Sequence, residues 1–183
     1  PPVLNQEQQT AFLHLDALAR AEKPAVALLY GVTGSGKTQV YISLIRAALD
    51  RGESAMVLVP EIALTPQLLR IFASHFGDDI AVLHSSLRAG ERYDEWKRVR
   101  SGAARVVLGT RSAVFAPLRN LGLIILDEEQ EASYKSENTP RYHARDVAKY
   151  RCAKGGGLLV LGSATPSVET MYLAKTGVYH MVS

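Results

Sequence analysis

Cysteine is nearly absent from these 183 residues: Cys152 stands alone. One thiol can form neither an internal disulfide nor a zinc site of several thiolates, so a reducing cytosol suits the chain and Cys152 is expected to be a structural thiol. Long apolar runs are missing too. None approaches the ~20 residues that cross a bilayer, and the opening PPVLNQEQQ lacks the charged and apolar regions of a secretory signal. The expectation is a cytoplasmic protein with no membrane partner. His14, His75, His84 and His180 are scattered without metal-ligand spacing. There is no low-complexity tract and no repeat of fixed period. What remains, 47% apolar and 21% charged residues, is the composition of one globular domain, which buries roughly 70% of its unfolded surface at this length.

Charge of one sign is also scarce overall, with a net of +3, but it is unevenly spread. Residues 84–119 carry eight basic residues (Arg88, Arg92, Lys97, Arg98, Arg100, Arg105, Arg111, Arg119) against three acids. Residues 120–133 carry four acids and no base, and residues 134–154 six bases against two acids. The change of sign falls inside DEEQEASYKSENTPRYHARD, Asp127 to Asp146. Carboxylates repel a phosphate backbone, whereas Tyr and Arg hold single strands, so the two halves are expected to serve different ligands.

Short apolar runs alternate with segments of helical period, which predicts an α/β domain: a mainly parallel sheet with helices on both faces. The expected strands are Ala25 to Tyr30, Ala55 to Pro60, Ile80 to Leu83, Ala104 to Thr110, Leu121 to Glu129 and Leu158 to Thr165, with a short last one in VYHMV. The expected helices are Lys37 to Leu49, one capped by Thr65 with Pro66 in its first turn, Gly90 to Ser101, Ala144 to Ala153 and Ser167 to Lys175. Ligands of such sheets bind beyond the carboxyl ends of the strands. The loops after Tyr30, Pro60, Thr110, Leu126 and Leu161 should therefore share one edge.

GVTGSGKT, Gly31 to Thr38, fits the phosphate-binding pattern of glycine, four residues, then Gly-Lys-Thr, between a strand and a helix. The backbone of Gly31, Val32, Thr33, Gly34, Ser35 and Gly36 is expected to curl around phosphates at a helix N-terminus. Lys37 should reach the β and γ phosphates of ATP, and the Thr38 hydroxyl should ligate magnesium. LIILDEE supplies the acids: Asp127 to hold magnesium through its water shell, Glu128 as the general base for an attacking water. Glu129 and Glu131 are expected at the surface. Neither NKxD nor LSGGQ occurs, which removes guanine-specific and transporter readings.

LNQEQQ, PEIALTPQ, GTRSA, DEEQ and GSATPS follow in that order from Leu4 to Ser167. Together they resemble the first motor lobe of a superfamily 2 DNA helicase, and VPEIALTPQ, GTRSAVFAPL, DEEQEASYK and RYHARDVAKYR resemble its replication-restart branch. The resemblance implies a RecA-like P-loop NTPase fold that uses ATP and Mg2+ and couples hydrolysis to translocation along single-stranded DNA and unwinding. Stalled or collapsed replication forks are its implied place of action, in replication restart and primosome assembly.

The same resemblance implies several residue roles. Gln8 would read adenine, with Gln9 adjacent. Ser163 and Thr165 would couple hydrolysis to unwinding, as would Gln130, which stands where such boxes often have His. Thr110 and Arg111 would contact a strand backbone, and Tyr134 to Arg145 would form an aromatic-rich loop sensing single-stranded DNA. There Tyr134 and Tyr142 are expected to stack on bases, and Lys135, Arg141 and Arg145 to attract phosphates; Tyr142 and His143 could equally pack the start of the next helix. The 183 residues are read as one motor lobe, a fragment of a longer helicase without its zinc insert, and nearly inactive without the second lobe. Expected partners are single-stranded and forked DNA, the parent's second motor lobe and DNA-binding domains, and primosome and single-strand-binding proteins. Two other readings stay open: a P-loop ATPase acting on a protein or small molecule, and a non-catalytic nucleotide-binding module.

Overall fold

A computed structural model describes residues 2–31 and 36–183. The first element is a helix absent from the expected set, α1 (Gln6–Arg20). Its signal is local: Asn5 accepts the Gln8 N–H while the Gln8 side chain accepts the Asn5 N–H, a reciprocal capping box in which Asn and Gln replace the commoner Ser and Glu. Strand β1 (Ala25–Tyr30) follows, then α2 (Gly36–Asp50), β2 (Ser54–Leu58), α3 (Pro66–Phe76), β3 (Ile80–Leu83), α4 (Ala89–Ser101) and β4 (Val106–Gly109). The chain continues through β5 (Leu121–Asp127), α5 (Ala144–Gly155), β6 (Leu158–Ser163), α6 (Val168–Lys175) and β7 (His180–Val182). Thr65 caps α3 through the Leu68 N–H, with Pro66 at the first helical position.

Among the described residues seven strands form one sheet in the order β3-β4-β2-β5-β6-β1-β7, and all of their pairings are parallel. Parallel strands covered on both faces must be apolar on both faces, hence the continuous runs seen in the sequence. Alternate residues divide cleanly. Ala27, Leu29, Val57, Ile125 and Val160 pack under α1, α2 and α3 with Leu15, Tyr41, Ile45 and Phe72. Leu28, Met56, Ile124, Leu126 and Leu161 face the other layer, with Val99 of α4, Ala148 and Cys152 of α5 and Ala174 of α6. Burial pushes the Cys152 thiol up to about 12, so it stays a neutral core group.

Register then brings the motif-bearing ends together. Tyr30 lies opposite Ser163, Asp127 opposite Gly162, and Leu58 opposite both Leu126 and Gly109. The segments that follow β1, β2, β4, β5 and β6 thus leave from one edge of the sheet.

Candidate active site

Of the phosphate-loop residues, Val32, Thr33, Gly34 and Ser35 lie outside the described residues. Gly31 closes β1 at φ 85°, in the left-handed region that glycine enters without a Cβ penalty. Gly36, Lys37 and Thr38 begin α2. The Lys37 ammonium is buried, 2.7 Å from Glu128 Oε1 and 3.2 Å from Asp127 Oδ1. Burial alone would pull Lys37 down, but the two carboxylates outweigh it and hold the group above its usual value. Glu128 is the mirror case: burial pushes it up, and hydrogen bonds from Lys37 and Gln130 outweigh that and hold it below the usual carboxylate range. At neutral pH the pair is ionised, a cation poised for phosphate beside a carboxylate able to take a proton.

Backbone geometry aims these acids. The chain leaves β5 through Glu128 at φ 51°, a left-handed conformation that costs a non-glycine residue about 1–3 kcal/mol. The turn is held by the Glu129 N–H donating to the Gly162 carbonyl at 3.1 Å and the Glu131 N–H donating to Glu128 at 3.0 Å. Glu128 thereby meets Lys37, while Glu129 turns inward.

Gln130 is half-buried, and the structure supplies its partners. Its Nε2 donates to Glu128 Oε2 at 3.0 Å, and its Oε1 accepts from the buried Ser163 hydroxyl at 2.6 Å. Ser163 Oγ also accepts the Thr165 N–H at 2.9 Å. A continuous path of hydrogen bonds runs from Lys37 through Glu128, Gln130 and Ser163 to the backbone of Thr165, whose side chain is exposed.

Several sequence expectations need correction. Glu129 is not at the surface: it is 1% exposed, accepts from the Ser167 N–H at 2.9 Å and its hydroxyl at 3.2 Å, and lies 3.6 Å from Arg145. A carboxylate can be buried here because it is paired and hydrogen-bonded. Arg145 is accordingly committed to Glu129 and, at 3.1 Å, to Glu169, rather than free for a phosphate. Tyr134 cannot stack on a base, since it is 1% exposed and its hydroxyl points at the Leu58 and Asp127 carbonyls. His143 is the N-cap of α5, its Nδ1 accepting the Arg145 N–H at 3.1 Å. Tyr142 sets its ring edge-on to Phe115 with centroids 4.9 Å apart and packs on the core beneath.

Gln8 is buried and its amide is used within the protein: Oε1 accepts the Asn5 N–H, and Nε2 donates to the Gly36 carbonyl at 3.1 Å. It ties α1 to the start of α2, while Gln9 is exposed. Thr110 is buried, donating to Glu61 Oε1 at 3.1 Å. Arg111 donates to the Ser133 and Lys135 carbonyls, so it fastens the acidic loop as well as standing at the end of β4. Lys135 and Arg141 remain exposed cations. Tyr41 is the residue that sequence reasoning missed. Its hydroxyl donates to Asp127 Oδ1 at 2.7 Å. The only signal was its place four residues after Lys37, one helical turn along the same face.

The family model described as DEAD/DEAH box helicase matches residues 6–173. The chain belongs to the DEAD/DEAH box helicase family. Among curated relatives it is 49% identical over 183 residues to the replication restart protein PriA of Bacillus subtilis, covering 100% of this chain and 23% of that one. It is also 49% identical over 174 residues to PriA of Treponema pallidum, covering 95% of this chain and 26% of that one. The chain therefore spans about a quarter of the length of these relatives. A solved structure of RecG bound to a three-way DNA junction superposes with a TM-score of 0.72 at 27% identity, over 99% of this chain and 24% of that chain. Within the matched span, Asp127–Gln130 leave β5 and Ser163–Thr165 leave the neighbouring β6 at the same edge of the sheet.

Proposed function

We propose that this chain is the ATP-binding first motor lobe of a longer DNA helicase that acts at stalled or collapsed replication forks, coupling ATP hydrolysis to translocation on single-stranded DNA. The observation that carries the reading is the hydrogen-bonded path Lys37–Glu128–Gln130–Ser163. It links a phosphate-binding cation and a candidate base to a segment at the neighbouring strand end. The whole-length similarity to PriA relatives supports the fork and restart setting.

Thr38 and Asp127 line one cleft with Tyr41, and a hydroxyl with one carboxylate is an oxygen donor set suited to magnesium shared with substrate phosphates. Bound there, magnesium would neutralise charge developing on the phosphates. Lys37 holds phosphate oxygens as a buried cation, and Glu128 accepts the proton of the attacking water. Gln130 keeps Glu128 in position and carries its state to Ser163. Lys135 and Arg141, exposed on the segment leading from the box to α5, offer phosphate contacts to a DNA strand. In this reading the lobe alone turns over little ATP, because half of the catalytic site belongs to the second motor lobe.

The test is ATP hydrolysis by the full-length parent with and without forked DNA, alongside the Glu128→Gln variant. The reading expects strong stimulation by DNA, and a variant that binds ATP but hydrolyses it at least a hundredfold more slowly. Hydrolysis indifferent to DNA would overturn the helicase reading in favour of a P-loop ATPase acting on a protein or small molecule.

A further inference from the structure

Asp127 Oδ1 receives two protein donors, the Tyr41 hydroxyl at 2.7 Å and the Lys37 ammonium at 3.2 Å. No hydrogen bond or ion pair among the described residues reaches Oδ2. The carboxylate is thus gripped by one oxygen only, and its side chain is 21% exposed on the cleft shared with Thr38. The two donors are not equivalent. Lys37 also pairs with Glu128, and in the proposed reaction it must serve phosphates. Tyr41 is 2% exposed, and the Asp127 bond is its hydroxyl's one hydrogen bond among the described residues.

The strand opposite is shaped around this contact. Gly162 pairs with Asp127 in the sheet. A Cβ at Gly162 would overlap the Tyr41 hydroxyl and stand 2.9 Å from Asp127 Oδ1. A side chain there would evict the phenol from the carboxylate. The ring carbon Cζ would stand 3.1 Å from the same Cβ, so the hydroxyl meets the harder overlap and the ring only a tight contact.

We propose that Tyr41 is a positioning residue: its hydroxyl fixes the Asp127 rotamer through Oδ1 and so presents Oδ2 to the water shell of a nucleotide-bound divalent cation. This rests on the ATP-site reading above. Rotamer control of this kind changes cation affinity without touching the groups that hold nucleotide or DNA, which is how hydrogen bonds to a ligating carboxylate act in other metal sites.

The experiment compares the full-length parent with its Tyr41→Phe variant, which removes one oxygen and keeps the ring. With ADP saturating, Mn2+ binding is titrated by electron paramagnetic resonance; ADP binding in EDTA and single-stranded DNA binding are measured alongside. The expected result is about tenfold weaker Mn2+ binding, with metal-free ADP and DNA affinities within about twofold of the parent. Gly162→Ala should weaken Mn2+ binding similarly in the parent and add little in the Y41F background. If Gly162→Ala does not fold, Tyr41→Phe alone decides. Coincident Mn2+ titrations for parent and Tyr41→Phe, even with a lower melting temperature, would reduce Tyr41 to core packing and overturn the inference. A parent whose nucleotide binding ignores Mn2+ would instead overturn the ATP-site reading and this inference with it.

Discussion

The Gln130 side-chain amide donates to Glu128 Oε2 across 3.0 Å. Its other end accepts from Ser163, so one neutral side chain is bonded at once to the candidate base and to the strand end beside it. Replacing Gln130 with Ala in the full-length parent should lower DNA-stimulated hydrolysis about tenfold, equivalent to ~1.4 kcal/mol of barrier, while ATP affinity persists. Steady-state kinetics with saturating DNA make the check, and a loss under twofold would remove Gln130 from the coupling path.

Tyr134 was expected on a DNA strand and lies in the core, its hydroxyl bridging toward β2 and β5. Tyr134→Phe removes the hydroxyl proton shared by the Leu58 and Asp127 carbonyls and should cost about 1–3 kcal/mol in urea denaturation. Its affinity for single-stranded DNA should match that of the unmodified protein. A selective fall in DNA affinity would restore the stacking role.

Lys135 and Arg141 are the exposed cations left to that segment. Replacing both with Ala should weaken single-stranded DNA binding and flatten its dependence on salt, by roughly 0.7 in log-log slope for each phosphate no longer neutralised. Arg145→Ala should behave differently. It strips the buried Glu129 of its cation and should destabilise the fold by on the order of 3 kcal/mol, leaving the salt slope unchanged. Titrations at several salt concentrations, with melting curves, separate the two.

His143 yields a pH prediction. Burial, with Arg145 beside it, holds its pKa below the usual 6.5, so the folded state favours the neutral ring that accepts the Arg145 N–H. The unfolded chain then binds the proton more readily, and stability from this cap is complete above about pH 6.5 and lost as pH falls through the lowered folded value. His143→Asn keeps a capping side chain that does not titrate. Between pH 7.5 and 5.5 its melting temperature should fall less than that of the unmodified protein; parallel declines would refute the assignment.

Much of this was legible in the sequence because parallel strands and phosphate loops leave local marks. The apolar runs located the strands within a few residues, since a strand covered on both faces has no polar positions to spare. Thr65-Pro66 marked one helix start, and Gly-Lys-Thr after a strand marked another. Helix α1 was not among the expected helices: its first turn and a half is polar, with a cap made by Asn5 and Gln8, and only from Ala11 do Ala11, Phe12, Leu15, Leu18 and Ala19 follow helical spacing onto the core.

By itself, then, the sequence determined the fold class, the edge of the sheet that bears the motifs and the charges gathered there, all consequences of period and residue type along one chain. Tertiary structure alone decided which of those charges are buried and paired and which stay exposed. Glu128 and Glu129 are adjacent, yet a left-handed turn sends one to Lys37 and the other beneath Ser167 and Arg145. Tyr134 and Lys135 are adjacent too, and one is core while the other is solvent. Partners far along the chain make these choices: Lys37 for Glu128, Ser167 for Glu129 and Leu58 for Tyr134 stand 91, 38 and 76 residues away. Burial and pairing depend on what the fold brings alongside a residue, and no local pattern encodes that.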